Sequence, residues 1–339
     1  MFCSRSFLIS LALFCTFTGG AAHAVQRTHV SAGFGADANT ASNCSATAPC
    51  RFFQAAMTVT DINGEVIVLD SGGYGAVTIT QSISLIAPTG VYAGISVFPG
   101  ATGVTIGTPG VNVVLRGLTI NGQGGDTGIS MTAGNKLTVE NCVIANLTGT
   151  GVYVSGATDV QVTDTTIRGN AAYGLYVENG VRATVTRATV SGNTSSLGYT
   201  SGAITAYGTA AGTTTTVDVA DSTVDGSKLV GIYAYTQNVT ATVGVSVTNS
   251  RIVRNAEGVT SITAGGTVKL SVSNNIISHN TIGIGGYTSG SRVWASGNTV
   301  SNNGVGFVNS GGLFESAGNN AVRNNNTNSS AGITTIAPL

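Results

Sequence analysis

The chain has 339 residues, with 14 Lys and Arg against 14 Asp and Glu, and only 8% of its residues are charged. That balance supplies neither a basic footprint for nucleic acid nor a polybasic attraction to an anionic membrane. With 48 glycines, 42% hydrophobic residues and a wealth of Thr, Ser and Asn, the composition is that of a turn-rich, folded all-β chain and not of a disordered one.

Residues 1–24 read MFCSRSFLISLALFCTFTGGAAHA. Arg5 gives a positive start, Phe7 to Phe17 an apolar stretch, and Ala22-His23-Ala24 a small-x-small cleavage site. This pattern predicts a signal peptide cleaved after Ala24, and hence a secreted or periplasmic protein. The apolar stretch is short for a membrane span, and every later apolar run is broken by Thr, Ser, Asn and Gly, so no membrane insertion is expected. Cys3 and Cys15 leave with the leader. Cys44 and Cys50 bracket the loop CSATAPC, and an oxidising compartment predicts a disulfide between them. Cys142 is left over and is expected to be a small, partly buried residue, since no neighbouring His or acid activates it.

Residues 25–64 are expected to form an N-terminal cap region. Within APCRFFQAAMTVT (48–60), Pro49 suits a first helical turn, and Phe53, Ala56 and Met57 fall on one helical face, which predicts a short capping helix. Strands are expected at 65–70, 75–80 and 82–87, where the chain enters its first coils.

From there the sequence repeats. The anchors Ile120, Ile144, Ile167, Val190, Val224, Ile252, Ile277, Val300 and Val322 recur at a spacing of about 23 residues, with one long insertion between Val190 and Val224. Each copy has a short alternating strand, such as VQV at 160–162, then a polar pair, then the strand that carries the anchor. Asn stands three residues past the anchor at 170, 193, 255, 280, 303 and 325. A glycine then opens a third strand, at Gly151, Gly174, Gly231, Gly258 and Gly283. Three short strands with no room for a crossover helix predict a coil that stacks on itself, each strand pairing in parallel with its counterpart about 4.8 Å away. The expected fold class is therefore all-β, a single-stranded right-handed parallel β-helix over 65–325, followed by a tail over 326–339. A propeller blade needs four strands and a longer period, and the framework of a leucine-rich repeat is missing. The Asn column is expected to hydrogen-bond along the stack and to tolerate left-handed turns, and the Gly column to mark a corner of permissive dihedrals.

The stretch 29–79, with its Gly/Asp-rich opening, capping helix and Gly73-Tyr74-Gly75 before the next strand, resembles secreted bacterial right-handed β-helix proteins of the pectin-lyase-like superfamily. The resemblance covers nearly all of the chain after the leader. It implies the fold and leaves the activity open, because the superfamily holds polysaccharide lyases, glycoside hydrolases, epimerases, adhesins and phage tailspikes. The motif strings of its hydrolases are absent here: Thr163-Asp164-Thr165 and Arg251-Ile252-Val253 are the nearest fragments, and His29 and His279 are the only histidines after the leader. His279, beside the Asn column, is expected to be a turn residue. Asp164, Arg187 and Asp221 share one column, which reads as a charge ladder stabilising the stack and not as a calcium site.

The third strand carries the candidate site. If Val152, Leu175, Ile204, Ile232 and Ile284 face inward, then Tyr153, Tyr176, Tyr207, Tyr233, Tyr235 and Tyr287 face outward in two adjacent columns, with Glu178 the carboxylate among them. An outward stripe of tyrosines offers ring faces to sugars and hydroxyls for hydrogen bonds. The insertion over 194–216 is expected to overhang this face. Three functions follow: a carbohydrate-binding or surface-interaction module without an identifiable catalytic constellation, a divergent lyase or hydrolase of an acidic polysaccharide, or a structural, adhesin-like solenoid. The expected partner is a polysaccharide or cell-surface glycan. No metal site and no cofactor are expected, Ca²⁺ entering only under the lyase alternative.

Overall fold

The computed structural model describes residues 25–194 and 202–337, so the predicted leader lies outside the described residues. The strands of the described residues form three parallel sheets of 13, 11 and 11 members. Each coil visits the sheets in the same order. Asp159–Thr163 lies in the first sheet, Thr166–Arg168 in the second and Leu175–Glu178 in the third. The next coil lays Arg182–Thr186, Thr189–Ser191 and Gly202–Gly208 beside them, residue for residue. This is the right-handed parallel β-helix that the repeat predicts. The anchors stack in one column from Ile120 to Val322. Ile95 adds a further coil below Ile120, beyond the anchors read from the repeat.

Alternation drives the burial. Val160, Val162, Ile167, Leu175 and Val177 of one coil are all inside, and such a side chain contributes about 1.5–3 kcal/mol on full burial. Because each coil repeats the same inward set, the core is one continuous column of Val, Ile and Leu.

The turns explain the polar repeats. Between the second and third sheets, the side-chain oxygens of Asn193, Asn280, Asn303 and Asn325 each accept both the backbone N–H and the side-chain amide of the Asn one coil earlier, at 2.9–3.2 Å. The ladder is as expected, but the left-handed dihedral belongs to the residue before each Asn: Gly169, Gly192, Arg254, His279, Asn302 and Asn324. A second ladder, with no fixed residue type to announce it in the repeat, runs at the turn between the first and second sheets. There Asn275 bonds Asn298 at 3.0 Å and Asn298 bonds Asn320 at 2.9 Å. The glycines that open the third strand also need a corrected account. None of Gly151, Gly174, Gly231, Gly258 and Gly283 has a left-handed φ. A Cβ at any of them would instead stand 2.4–2.7 Å from a carbonyl oxygen of the next coil, so close stacking selects Gly there.

At the N-terminal end, Phe53–Met57 forms the capping helix and buries Phe53, Ala56 and Met57 over the first coil. Pro49 precedes that helix by four residues and so is outside its first turn. Val25–Val30 pairs in parallel with Thr60–Val68 and extends the first sheet, which makes the cap region partly a coil of the stack. Cys44 and Cys50 are joined, with Cα atoms 4.9 Å apart. The Asp70 carboxylate ties the cap to the first coil: it accepts from the Ser31 hydroxyl at 2.8 Å, the Ala32 and Gly33 amides at 2.7 and 2.9 Å, and the Tyr74 hydroxyl at 2.5 Å. At the other end the stack runs beyond 325, so the expected tail is a coil. Thr327–Ser329 joins the third sheet and Ile333–Ile336 the first. Thr327–Ser329 is too polar to announce a strand, but pairing with the previous coil satisfies part of its backbone. Asn328 then closes the ladder, its side-chain oxygen accepting from the Asn325 side chain at 3.2 Å where a further coil would otherwise supply an Asn.

Candidate functional site

The third sheet sets two outward columns side by side. One runs Tyr153, Tyr176, Thr205, Tyr233, Thr260; the other runs Ser155, Glu178, Tyr207, Tyr235, Ile262. Parallel pairing puts neighbours in a column about 4.8 Å apart, close enough for rings to touch. Tyr153 and Tyr176 approach to 5.6 Å between ring centres, Tyr176 and Tyr207 to 5.9 Å, Tyr207 and Tyr235 to 5.1 Å, and Tyr235 and Tyr233 to 5.6 Å. Tyr173, from the turn that leads into the third strand, joins edge-on to Tyr176 at 4.6 Å. It lies outside the strand alternation, so the inward–outward pattern does not point to it. Its place just before Gly174 was the available signal.

The stripe is not uniformly open. Tyr233 is 2% exposed and Tyr235 9%, so the two are corrected from open platform to packed wall. They face outward but are covered by an outer apolar cluster with Val230, Leu229 and Ile262. Tyr207 is half-buried and gives its hydroxyl to Gln237 at 2.5 Å. Tyr287 stands apart, its ring folded back over Gly285. Tyr153, Tyr173 and Tyr176 are half-buried like Tyr207, and with Thr150 and Glu178 they line an open pocket at the start of the stripe.

Glu178 organises that pocket. One carboxylate oxygen accepts the Tyr153 hydroxyl at 2.7 Å and the other the Tyr176 hydroxyl at 3.1 Å. Burial, and then the carboxylate itself, raise both phenol pKa values, so the two hydroxyls stay protonated donors. The insertion does not overhang as one piece. Residues 195–201 lie outside the described residues, whereas Gly202–Gly208 and Thr214–Ala220 are strands of the third and first sheets.

The other singled-out residues fall into the scaffold. Arg187 pairs with both oxygens of Asp164 at 2.7 and 2.8 Å, and Asp221 adds only a longer-range attraction. All three take left-handed turn positions, and an exposed pair of this kind is worth little to stability. His279 sits at a left-handed turn with φ 58°. Cys142 is 1% exposed, and burial pushes its thiol up to about 11.

Two acid pairs on the outer faces are widely spaced. On the third sheet, Glu257 lies three coils and five residues from the Glu178 column position, about 14 Å along the stack and about 16 Å along the strand. On the first sheet, Asp218 and Glu315 share a column but stand four coils apart, about 19 Å. Glycosidic carboxyl pairs sit roughly 5–10 Å apart. The first sheet also carries an open groove at Lys269, Arg292, Trp294, Leu313 and Glu315. Among the described residues no three His, Cys, Asp or Glu side chains gather as a metal site would need, and no helix is long and apolar enough to cross a membrane.

A family model described as a right handed beta helix region matches residues 57–218. No curated protein matches the chain. Among solved structures, pectate lyase Pel9A superposes with a TM-score of 0.56 at 14% identity, over 92% of this chain and 78% of that one. XylC in complex with xylose superposes with a TM-score of 0.61 at 9% identity, over 81% of this chain and 69% of that one. At these identities the likeness is one of fold.

Proposed function

Starting from a chain that belongs to the right-handed β-helix proteins of the pectin-lyase-like superfamily, a fold related to polysaccharide lyases and glycoside hydrolases, we propose that this protein is an exported carbohydrate-binding module that performs no chemistry on its ligand. The supporting observation is the pocket at the start of the tyrosine stripe. Three rings present faces and edges at one place, and Glu178 fixes two of them by their hydroxyls. Fixed rings lose little freedom on binding, which is what a stacking platform for a sugar requires. The wide separations of Glu178 from Glu257 and of Asp218 from Glu315 favour binding over hydrolysis at those two pairs.

The test is a glycan array followed by titration of the best ligand. Tyr176→Ala removes the ring that touches both Tyr153 and Tyr173, and is expected to weaken binding by roughly tenfold or more, equivalent to about 1.4 kcal/mol. Unchanged affinity would rule out this face. An array without hits favours the structural, adhesin-like reading.

A second reading, a divergent lyase, has one observation in its favour. Lys269 and Arg292 are paired neighbours on the first sheet, beside Trp294 and Glu315 in the same groove. A lyase needs a base and a cation near an acidic sugar, and this groove has residues of both kinds. Incubation with uronic-acid polymers, with and without Ca²⁺, is expected to give no absorbance from new double bonds. A signal lost in Arg292→Ala would establish the second reading instead.

A further inference from the structure

The pocket on the third sheet has a charge and a hydrogen-bonding bias that the aromatic stripe alone does not reveal. Its single charged lining residue is Glu178; the other lining residues are Thr150, Tyr153, Tyr173 and Tyr176. The Tyr153 and Tyr176 protons point at Glu178, so these two hydroxyls face a ligand as acceptors. A second carboxylate, Asp126, stands against the adjoining turn, where its Oδ1 is 2.2 Å from the place a Cβ on Gly149 would take. Asp126 is exposed.

Each of these facts disfavours an anion. A uronate carboxylate offers only acceptors and would meet a carboxylate and two oxygens whose protons are already committed. An ammonium group offers three donors and a positive charge. It would meet the free lone pairs of Glu178 together with the negative faces of the tyrosine rings, where a cation gains about 0.5–2 kcal/mol. Hydrogen bonding to a carboxylate also pushes electron density into the phenol rings, which strengthens that attraction.

We infer that the Tyr153–Tyr173–Tyr176–Glu178 pocket selects sugars that carry a free amine, as in a de-N-acetylated hexosamine polymer, over acidic and N-acetylated ones. The inference rests on the carbohydrate-binding reading above and adds the ligand's chemical class. It sets this pocket apart from the first-sheet groove with Lys269 and Arg292, whose charge has the opposite sign.

The experiment titrates the full chain with three oligomers of equal length: fully de-N-acetylated glucosamine, its N-acetylated counterpart, and galacturonate. Under mildly acidic conditions, where the amine is charged, the glucosamine oligomer is expected to bind roughly tenfold tighter than the N-acetylated one. Added salt should shrink that margin. Glu178→Gln keeps the shape and is expected to erase the preference, whereas Glu315→Gln, on the first sheet, should leave it intact. Equal affinity for the amine and the N-acetyl oligomers, or a preference for galacturonate, overturns the inference while the carbohydrate-binding reading stands. So does an equal loss in Glu315→Gln, which would mark bulk charge as the cause. Binding of none of the three overturns the inference, and only an array without hits then defeats the carbohydrate-binding reading as well.

Discussion

Asn193 holds its side-chain N–H₂ buried and without a partner, because the next coil puts Ser227 where the ladder needs an Asn. The Ser227 hydroxyl is likewise buried and unbonded. On the far side the ladder resumes, with Asn255 accepting the Ser227 amide at 2.9 Å. One gap therefore leaves two orphaned groups. Ser227→Asn is expected to bridge it, its oxygen taking the Asn193 amide and its own amide reaching Asn255. Satisfying a buried donor should stabilise the protein by about 1 kcal/mol. Denaturant unfolding measures this, and a midpoint that stays put or falls would show that the gap is not the defect it looks.

The glycine column predicts a contrast between two neighbouring positions. A Cβ on Gly231 would lie 2.7 Å from the Gly258 carbonyl oxygen and near the Asn255 side chain. Gly231→Ala therefore forces coils apart and is expected to cost about 1–3 kcal/mol. Gly226 has a left-handed φ of 67° but occupies a turn position where other coils carry Arg254, His279 and Asn302. Gly226→Asn should be mild, within about 1 kcal/mol. Thermal melting of the two variants orders them, and a reversed order would overturn the stacking account of Gly231.

These turns also show where the sequence was legible. The inward Val, Ile and Leu could be placed from period and alternation because every coil obeys the same burial rule. The Asn ladder could be read because its residues keep a fixed offset from the anchor. The second ladder could not: its column holds Cys142, Thr165, Ala188, Ser222 and Ser250 before Asn275, and mixed residue types hide a shared role. The site was legible in direction and not in accessibility. Alternation turns Tyr233 and Tyr235 outward, but only packing shows Leu229 and Ile262 closing over them. Tyr173 lies outside the strand alternation, and the ring contact with Tyr176 brings it into the site.

Cys142 occupies the first position of that second ladder described above and is buried, with its sulfur 3.3 Å from the Glu140 carbonyl oxygen. Its raised thiol pKa and its burial predict no reaction with an alkylating reagent under native conditions, and reaction only on unfolding. Cys142→Ser should fold with stability changed by less than about 1 kcal/mol, because Ser222 and Ser250 already hold hydroxyls in the column, each donating to a carbonyl two residues earlier at 2.7 Å. Rapid native labelling would contradict this, as would a large loss of stability.

Asp70 supplies the pH dependence. Burial alone would raise its carboxyl, but the Tyr74 hydroxyl, the Ala32 amide, the Ser31 hydroxyl and the Gly33 amide outweigh that and hold it at about 2, below its ordinary 3.8. A depressed carboxyl stabilises the fold while it is ionised. The contribution is complete above the unfolded value of 3.8 and drains away as the pH falls through about 2. Asp70→Asn removes the ionisation, so the melting temperature of the natural protein should exceed that of the variant at neutral pH. The gap should narrow between about pH 4 and pH 2 and close below it. The loss should begin at the cap, since the carboxylate's donors are the 31–33 turn and Tyr74 of the first coil. Limited proteolysis at neutral pH is expected to cut near residues 31–36 earlier in the variant. A constant gap across that range would mean that the clamp acts through shape and not through charge.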